Sequence, residues 1–255
     1  TYKYIPYWNL FRRTEFLEVE GYGKFEAYSN RDSLKYLDIY GLNDVLTLYR
    51  GTIRRVGFSK AWNMFVQLGM TDDSYIMEGS ENMSYRQFVN SFLPYHPTDS
   101  VEIKMRLILK IDQDDIMWDK LLELDLFNPN KKVGLQHATP AQILEKILKD
   151  SWTLQPNDKD MIVMYHKFGY ELNGQKQQID SKMVCMGEDQ TYTAMAKTVG
   201  LPVAMATLLI LNGKIKTPGV QLPIREEVYL PILKELEEYG VVFKEQIVPY
   251  LGYNL

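Results

Sequence analysis

The chain has 255 residues, of which 45 % are hydrophobic and 24 % charged, with a net charge of −4. That composition excludes a mainly disordered or low-complexity chain, and its acidity argues against a general nucleic-acid binder. The single cysteine, Cys185, excludes a disulfide scaffold and a cysteine-based zinc site, and it fits a reducing compartment such as the cytoplasm.

The first predicted elements are strands. Glu15 to Glu20 alternates Phe16, Leu17 and Val19 with acids, and Lys24 to Tyr28 resumes after Gly21-Tyr22-Gly23, which reads as a hairpin. A further strand is expected over Val45 to Ile53. From Ser59 to about Trp152 the periodicity is helical throughout. Ser59 is the expected cap of the first helix, and Gly69 its closing glycine. Ser84 with Gln87, Asp99 with Glu102, and Thr139 with Gln142 read as capping boxes, the last with Pro140 at the favoured first position. Asp114 or Asp115 starts a helix carrying Ile116, Leu121 and Leu122.

Strand character returns at Met161 to Leu172. Asn173-Gly174 is a strong two-residue hairpin signal, and Gln175 to Cys185 is the returning strand. Thr193 to Leu211 reads as an apolar helix with a potential break at Gly200-Leu201-Pro202. Ile224, Val228, Ile232 and Leu236 form a helical stripe, and Val241-Val242-Phe243 a short closing strand. No apolar run reaches the roughly 18 residues of a membrane span, and the polar start Thr1-Tyr2-Lys3-Tyr4 has no secretory pattern. The pattern is an α/β (α+β) domain, with a sheet packed by helices and an inserted all-α subdomain. The expected division is 1–56 with 156–220 as the α/β domain, 57–155 as the insertion, and 221–255 as a terminal helix and strand.

The chemistry-bearing residues are few. Neither G-x-G-x-x-G nor G-x-x-x-x-G-K-[ST] occurs, so no dinucleotide or phosphate cradle is visible. His96, His137 and His166 lack metal-ligand spacing, so no metal site is expected. His166 and Lys167 are the visible titratable candidates for a general base, though a structural histidine is the simpler reading of His166, and a buried small hydrophobe that of Cys185. Met195 to Ala204 reads as core.

Arginine is the informative residue. Six of the nine lie in the first 55 positions: Arg12, Arg13, Arg31, Arg50, Arg54 and Arg55. Guanidinium forks suit carboxylate or phosphate. Two readings stay open: a site for an anionic small ligand, or internal salt bridges to Glu15, Glu18, Glu20 and Glu26. In Tyr28-Ser29-Asn30-Arg31-Asp32-Ser33, turn formers place Arg31 at a strand end. In Tyr49 to Phe58, an extended backbone puts Arg50, Thr52 and Arg54 on one face and Arg55 on the other.

Asn30-Arg31-Asp32-Ser33, Arg50-Gly51-Thr52-Ile53-Arg54, Gly57-Phe58, Tyr165 to Gly169, Met195 to Ala204 and Gly213 to Gly219 together resemble saccharopine dehydrogenase of the glutamate-forming type. The likeness runs in family order from about residue 14 to residue 245, without the family's glycine-rich nucleotide domain. The chain therefore looks like the C-terminal, substrate-binding portion. The resemblance implies a glyceraldehyde-phosphate-dehydrogenase-like C-terminal domain with a mixed sheet, a homodimer, and NAD or NADP bound mainly by a nucleotide domain absent from this chain. It implies oxidation of saccharopine to L-glutamate and α-aminoadipate semialdehyde in lysine metabolism, with this chain inactive alone. Saccharopine carries three carboxylates, which a binding domain must meet with cations. Arg31 is then the main clamp, with Thr52, Arg54 and Arg50 beside it, and the catalytic base is unassigned. The alternatives are a carboxynorspermidine or homospermidine synthase relative, or a non-catalytic dimerisation module for an anionic metabolite. A polyamine site would be acid-rich, which favours the polycarboxylate.

Overall fold

The computed structural model describes residues 3–252, so the polar start read at Thr1-Tyr2 lies outside the described residues. The chain forms two compact units. One takes the residues up to Arg31 together with Arg50–Thr153, the other Asp32–Tyr49 and the chain from Leu154 on.

The first unit opens with a one-turn helix, α1 (Tyr7–Leu10), then the hairpin β1 (Thr14–Val19) and β2 (Gly23–Ser29). Gly21 and Gly23 take φ of +79° and +84°, which glycine adopts without a Cβ clash. After α2 (Tyr36–Ile39), which belongs to the second unit, β3 (Gly51–Arg55) returns antiparallel beside β2. The expected strand began at Val45. It starts six residues later because β2 runs out of partners: the last pair is Ser29 with Gly51, and one more hydrogen bond runs from Asn30 N–H to the Arg50 carbonyl. Arg31 then turns away with a left-handed φ of 39°.

Five helices follow: α3 (Phe58–Leu68), α4 (Tyr85–Asn90), α5 (Val101–Leu109), α6 (Ile116–Leu122) and α7 (Pro140–Trp152). Two of the three predicted boxes, Ser84 with Gln87 and Thr139 with Gln142, close in both directions, and Asp115 caps α6. Two expected caps are corrected. Ser100, not Asp99, caps α5, because Glu102 is drawn into a bidentate pair with Arg86 and Asp99 lies beside His96. Ser59 does not cap α3; it is a helical residue following an N-terminal Phe58, and Gly57 (φ 100°) carries no side chain to cap with. The core of this unit gathers Met70, Tyr85, Phe88, Met105, Leu126 and Ile143, all essentially fully buried. Each such side chain contributes about 1.5–3 kcal/mol of apolar burial.

The second unit is built on β4 (Met161–Leu172) and β5 (Gln175–Met186), paired over their full length through the Asn173-Gly174 turn. Helix α8 (Ala194–Leu211) runs unbroken through Pro202, then α9 (Glu226–Glu238) and β6 (Lys244–Pro249) complete the unit. The closing strand lies after the expected Val241–Phe243, because Val241 is buried in the core and Phe243 packs against it. That core holds Met183, Cys185, Ala194, Met205, Leu209, Ile232 and Leu236.

Two further expectations change at α8. Because Pro202 does not break it, the helix reaches 18 residues and is long and apolar enough, by length and composition, to cross a membrane. Nor is Met195 to Ala204 core: Met195, Val199 and Val203 are exposed, whereas Ala194, Met205 and Leu209 are buried. The α/β class stands, and the five helices share one compact unit with the first sheet. Among the described residues the strands make two three-stranded antiparallel sheets, β1-β2-β3 and β4-β5-β6.

Candidate functional site

The first sheet gathers the arginine motifs. Its register sets Glu26 opposite Arg54 and Tyr28 opposite Thr52, and the Asn30–Arg50 hydrogen bond continues the ladder. By the period of two, Thr52 and Arg54 share a face with Glu26 and Tyr28, while Arg55 lies on the other with Phe25. The side chains agree. The Arg55 guanidinium sits 4.5 Å over the Phe25 ring and donates to the Tyr22 carbonyl at 2.5 Å. The Arg54 guanidinium stacks 5.4 Å over Phe58 and donates only to the carbonyl of Ile53. Arg31 stands exposed where β2 ends, at the same sheet end as Arg50.

The internal salt-bridge reading fails for most of the cluster. Among the described residues, Arg12, Arg13, Arg31, Arg54 and Arg55 make no ion pair with a carboxylate. Glu26 is the instructive case. It faces Arg54 across the ladder and is only 4 % exposed, yet its Oε1 accepts the Ser59 N–H at 2.6 Å. A side chain from β2 thus supplies the cap that Gly57 cannot give α3, where an N-terminal N–H otherwise lacks a partner.

Aromatic rings back this face. Phe11, Tyr28, Phe58 and Trp62 follow one another with centroid separations of 4.8, 6.3 and 5.8 Å. The sequence reading took Glu26 only as a salt-bridge partner and gave Tyr28 and Phe58 no role, because the β2–β3 register is not set by a tight turn and periodicity alone does not supply it.

The remaining candidates lie in the second unit. His166 is exposed but lies beside Phe168 and Phe243, with centroids 6.0 and 5.6 Å away, and desolvation by these rings pushes its imidazole below the ordinary value. Lys167 lies 5.4 Å from the Tyr165 ring centroid. The Tyr165 hydroxyl donates to Asp180 at 2.5 Å, and desolvation and this carboxyl together push the phenol well above its ordinary value. Cys185 is buried, which raises its thiol. His137 and His96 are exposed, the latter 3.2 Å from Asp99.

Among the described residues no group of three or more His, Cys, Asp or Glu is placed to hold a metal ion. Nor do the described residues fit a nicotinamide dinucleotide. Such a site needs a glycine-rich turn between a parallel strand and a helix, whereas both sheets are antiparallel and Gly21-Tyr22-Gly23 is a hairpin turn.

Fold and face together define a two-unit α/β chain with an arginine-bearing sheet face in its first unit. The family model described as "Saccharopine dehydrogenase C-terminal domain" matches residues 1–241, and the chain belongs to that family. Rat mitochondrial alpha-aminoadipic semialdehyde synthase is 34 % identical over 226 residues, 87 % of this chain and 24 % of the rat protein. The Saccharomyces cerevisiae saccharopine dehydrogenase [NADP(+), L-glutamate-forming] is 34 % identical over 237 residues, 88 % of this chain and 51 % of the yeast one. The solved apo, histidine-tagged L-Glu-forming saccharopine dehydrogenase of S. cerevisiae superposes with a TM-score of 0.80 at 29 % identity, covering 94 % of this chain and 55 % of that one. The chain thus spans about half the length of its yeast relative and about a quarter of the rat one.

Proposed function

We propose that this chain is the substrate-binding portion of a saccharopine dehydrogenase, which oxidises saccharopine with NAD(P)⁺ to L-glutamate and α-aminoadipate semialdehyde in lysine metabolism. The observation that carries the reading is the unpaired guanidinium pair, Arg31 and Arg54, on a sheet whose nearest glutamate is committed elsewhere. A tricarboxylate needs cations that the fold has not already neutralised. In this reading Arg31 is the main clamp, with Thr52, Arg54 and Arg50 as further contacts. Arg31 carries a left-handed backbone on a non-glycine residue, a conformation that costs on the order of 1–2 kcal/mol and often marks a functional position.

The residues described supply binding and orientation, and the hydride chemistry belongs to a nicotinamide held outside these 255 residues. The division into an α/β part (1–56, 156–220), a helical insertion (57–155) and a terminal segment (221–255), and the homodimer, belong to this reading. So does a reducing location. The free Cys185 fits the cytoplasm, and it fits equally the mitochondrion named for the rat relative.

The test is saccharopine-dependent reduction of NAD⁺ and NADP⁺ by the protein expressed from its complete reading frame, with the 255-residue chain as control. Activity in the complete protein and none in the chain supports the proposal and names the cofactor. No turnover in either refutes it.

A further inference from the structure

We infer that Tyr28 is a further ligand-binding residue of the arginine face, its hydroxyl meeting a carboxylate oxygen between Thr52 and the two guanidiniums of Arg54 and Arg50. The inference rests on the reading of that face as a carboxylate site. Its starting point is register. Tyr28 lies directly opposite Thr52, with Arg54 and Arg50 as its diagonal neighbours on the same face. Directly opposite residues sit about 4.5–5.5 Å apart and diagonal ones about 7–8 Å, so one small polyanion spans all four positions.

Two further observations separate Tyr28 from an ordinary packing tyrosine. Its ring is fixed on both sides, by Phe11 at 4.8 Å and by Phe58 at 6.3 Å with planes only 11° apart. These contacts leave the phenol little freedom to lose on binding, which is the condition for a hydroxyl to contribute affinity. Its hydroxyl, like that of Thr52, has no hydrogen-bond partner among the described residues. Ser59 Oγ is the single buried side-chain polar atom there without a partner, so the Tyr28 and Thr52 hydroxyls both reach solvent. A tyrosine held only for its ring would serve equally well as phenylalanine. A rigid, open hydroxyl between two arginine positions is a donor set for a carboxylate oxygen.

The test is Tyr28→Phe in the complete protein, which removes the hydroxyl and keeps both ring contacts. Saccharopine is titrated by calorimetry without nucleotide, next to Arg54→Ala, and the Tyr28 ¹³Cζ resonance, assigned by its loss in the variant, is followed in the parent. We expect the Kd of Tyr28→Phe to rise about tenfold or more, the size of a lost hydrogen bond to a charged group, with the unfolding midpoint unchanged and the ¹³Cζ signal shifting on saturation. A Kd within about twofold of the parent and an unmoved resonance, while Arg54→Ala still loses affinity, overturns the inference and leaves the arginine reading standing. Full affinity in both variants, or no uptake by the parent, overturns the arginine reading and Tyr28 with it.

Discussion

Arg54 and Arg55 are adjacent in sequence and have opposite duties in the fold, so exchanging each for alanine separates binding from stability. Arg54 makes no contact with a carboxylate; it rests on Phe58 and donates to its neighbour's carbonyl. Its removal should cost the face one charge-assisted contact, about 1.5–3 kcal/mol, or roughly 10–150-fold in Kd for saccharopine. Arg55 is committed inside the hairpin, over Phe25 and onto the Tyr22 carbonyl that closes the Gly21–Gly23 turn. Its removal should leave the Kd nearly unchanged and destabilise the first unit by about 1–2 kcal/mol, from a lost cation–π contact and one hydrogen bond. Calorimetry reads the first quantity. Urea unfolding followed by tryptophan fluorescence reads the second, because all four tryptophans, Trp8, Trp62, Trp118 and Trp152, lie in the first unit. A larger binding loss at Arg55 than at Arg54 would show that the strand phase, and with it the assignment of the binding face, is wrong.

Three other outcomes follow from the same structure. Arg31→Gly should release the cost of a left-handed arginine, keeping or raising stability by up to about 1 kcal/mol while weakening saccharopine binding at least tenfold; equal binding removes Arg31 from the site. Glu102 is held down at about 2 by its fork with Arg86, so its contribution of about 2–3 kcal/mol is complete above pH 4.5 and disappears as pH falls from there through about 2. Glu102→Gln should therefore be less stable at pH 7 and lose less on acidification, and parallel urea midpoints for both proteins from pH 7 to pH 3 would exclude this. Gly187→Ala would put a Cβ 2.1 Å from Asp160 Oδ1, which accepts the Ala194 N–H at 2.6 Å. Faster hydrogen exchange at the Ala194 and Met195 amides is expected, and unchanged protection there would show that the cap yields without loss.

What the sequence made legible is what short-range chemistry decides. Gly21-Tyr22-Gly23 and Asn173-Gly174 fix two hairpins because their backbones need positive φ, and the structure follows them pair for pair. Ser84 and Thr139 cap as read because donor and acceptor lie three residues apart. What stayed illegible depends on partners distant in sequence. The start of β3 is set by where β2 ends, β6 is defined by its pairing with β5, and α3 is capped from 33 residues away by Glu26. The arginine face was visible as a pattern of two. Its aromatic backing was not, since Phe11, Tyr28 and Phe58 meet only once the strands are in register.

The cap from Glu26 also explains how an acidic chain keeps an arginine face open. Opposite Arg54 on a two-stranded ladder, a glutamate is the residue best placed to neutralise a guanidinium. Here the first turn of α3 competes for it. Gly57, in a left-handed conformation that glycine tolerates, swings the chain from β3 into the helix and brings an N–H without a side-chain cap up to the Glu26 carboxyl. A buried carboxyl that already serves a helix terminus is costly to draw away, because the N–H it leaves would be buried without a partner. The helix thus holds the glutamate, the Phe58 ring at its start receives the arginine, and the guanidinium faces outward with its charge unmatched. One turn of chain, Arg54 to Ser59, carries the strand face, the cap and the ring, which ties the outward-facing Arg54 to the docking of α3.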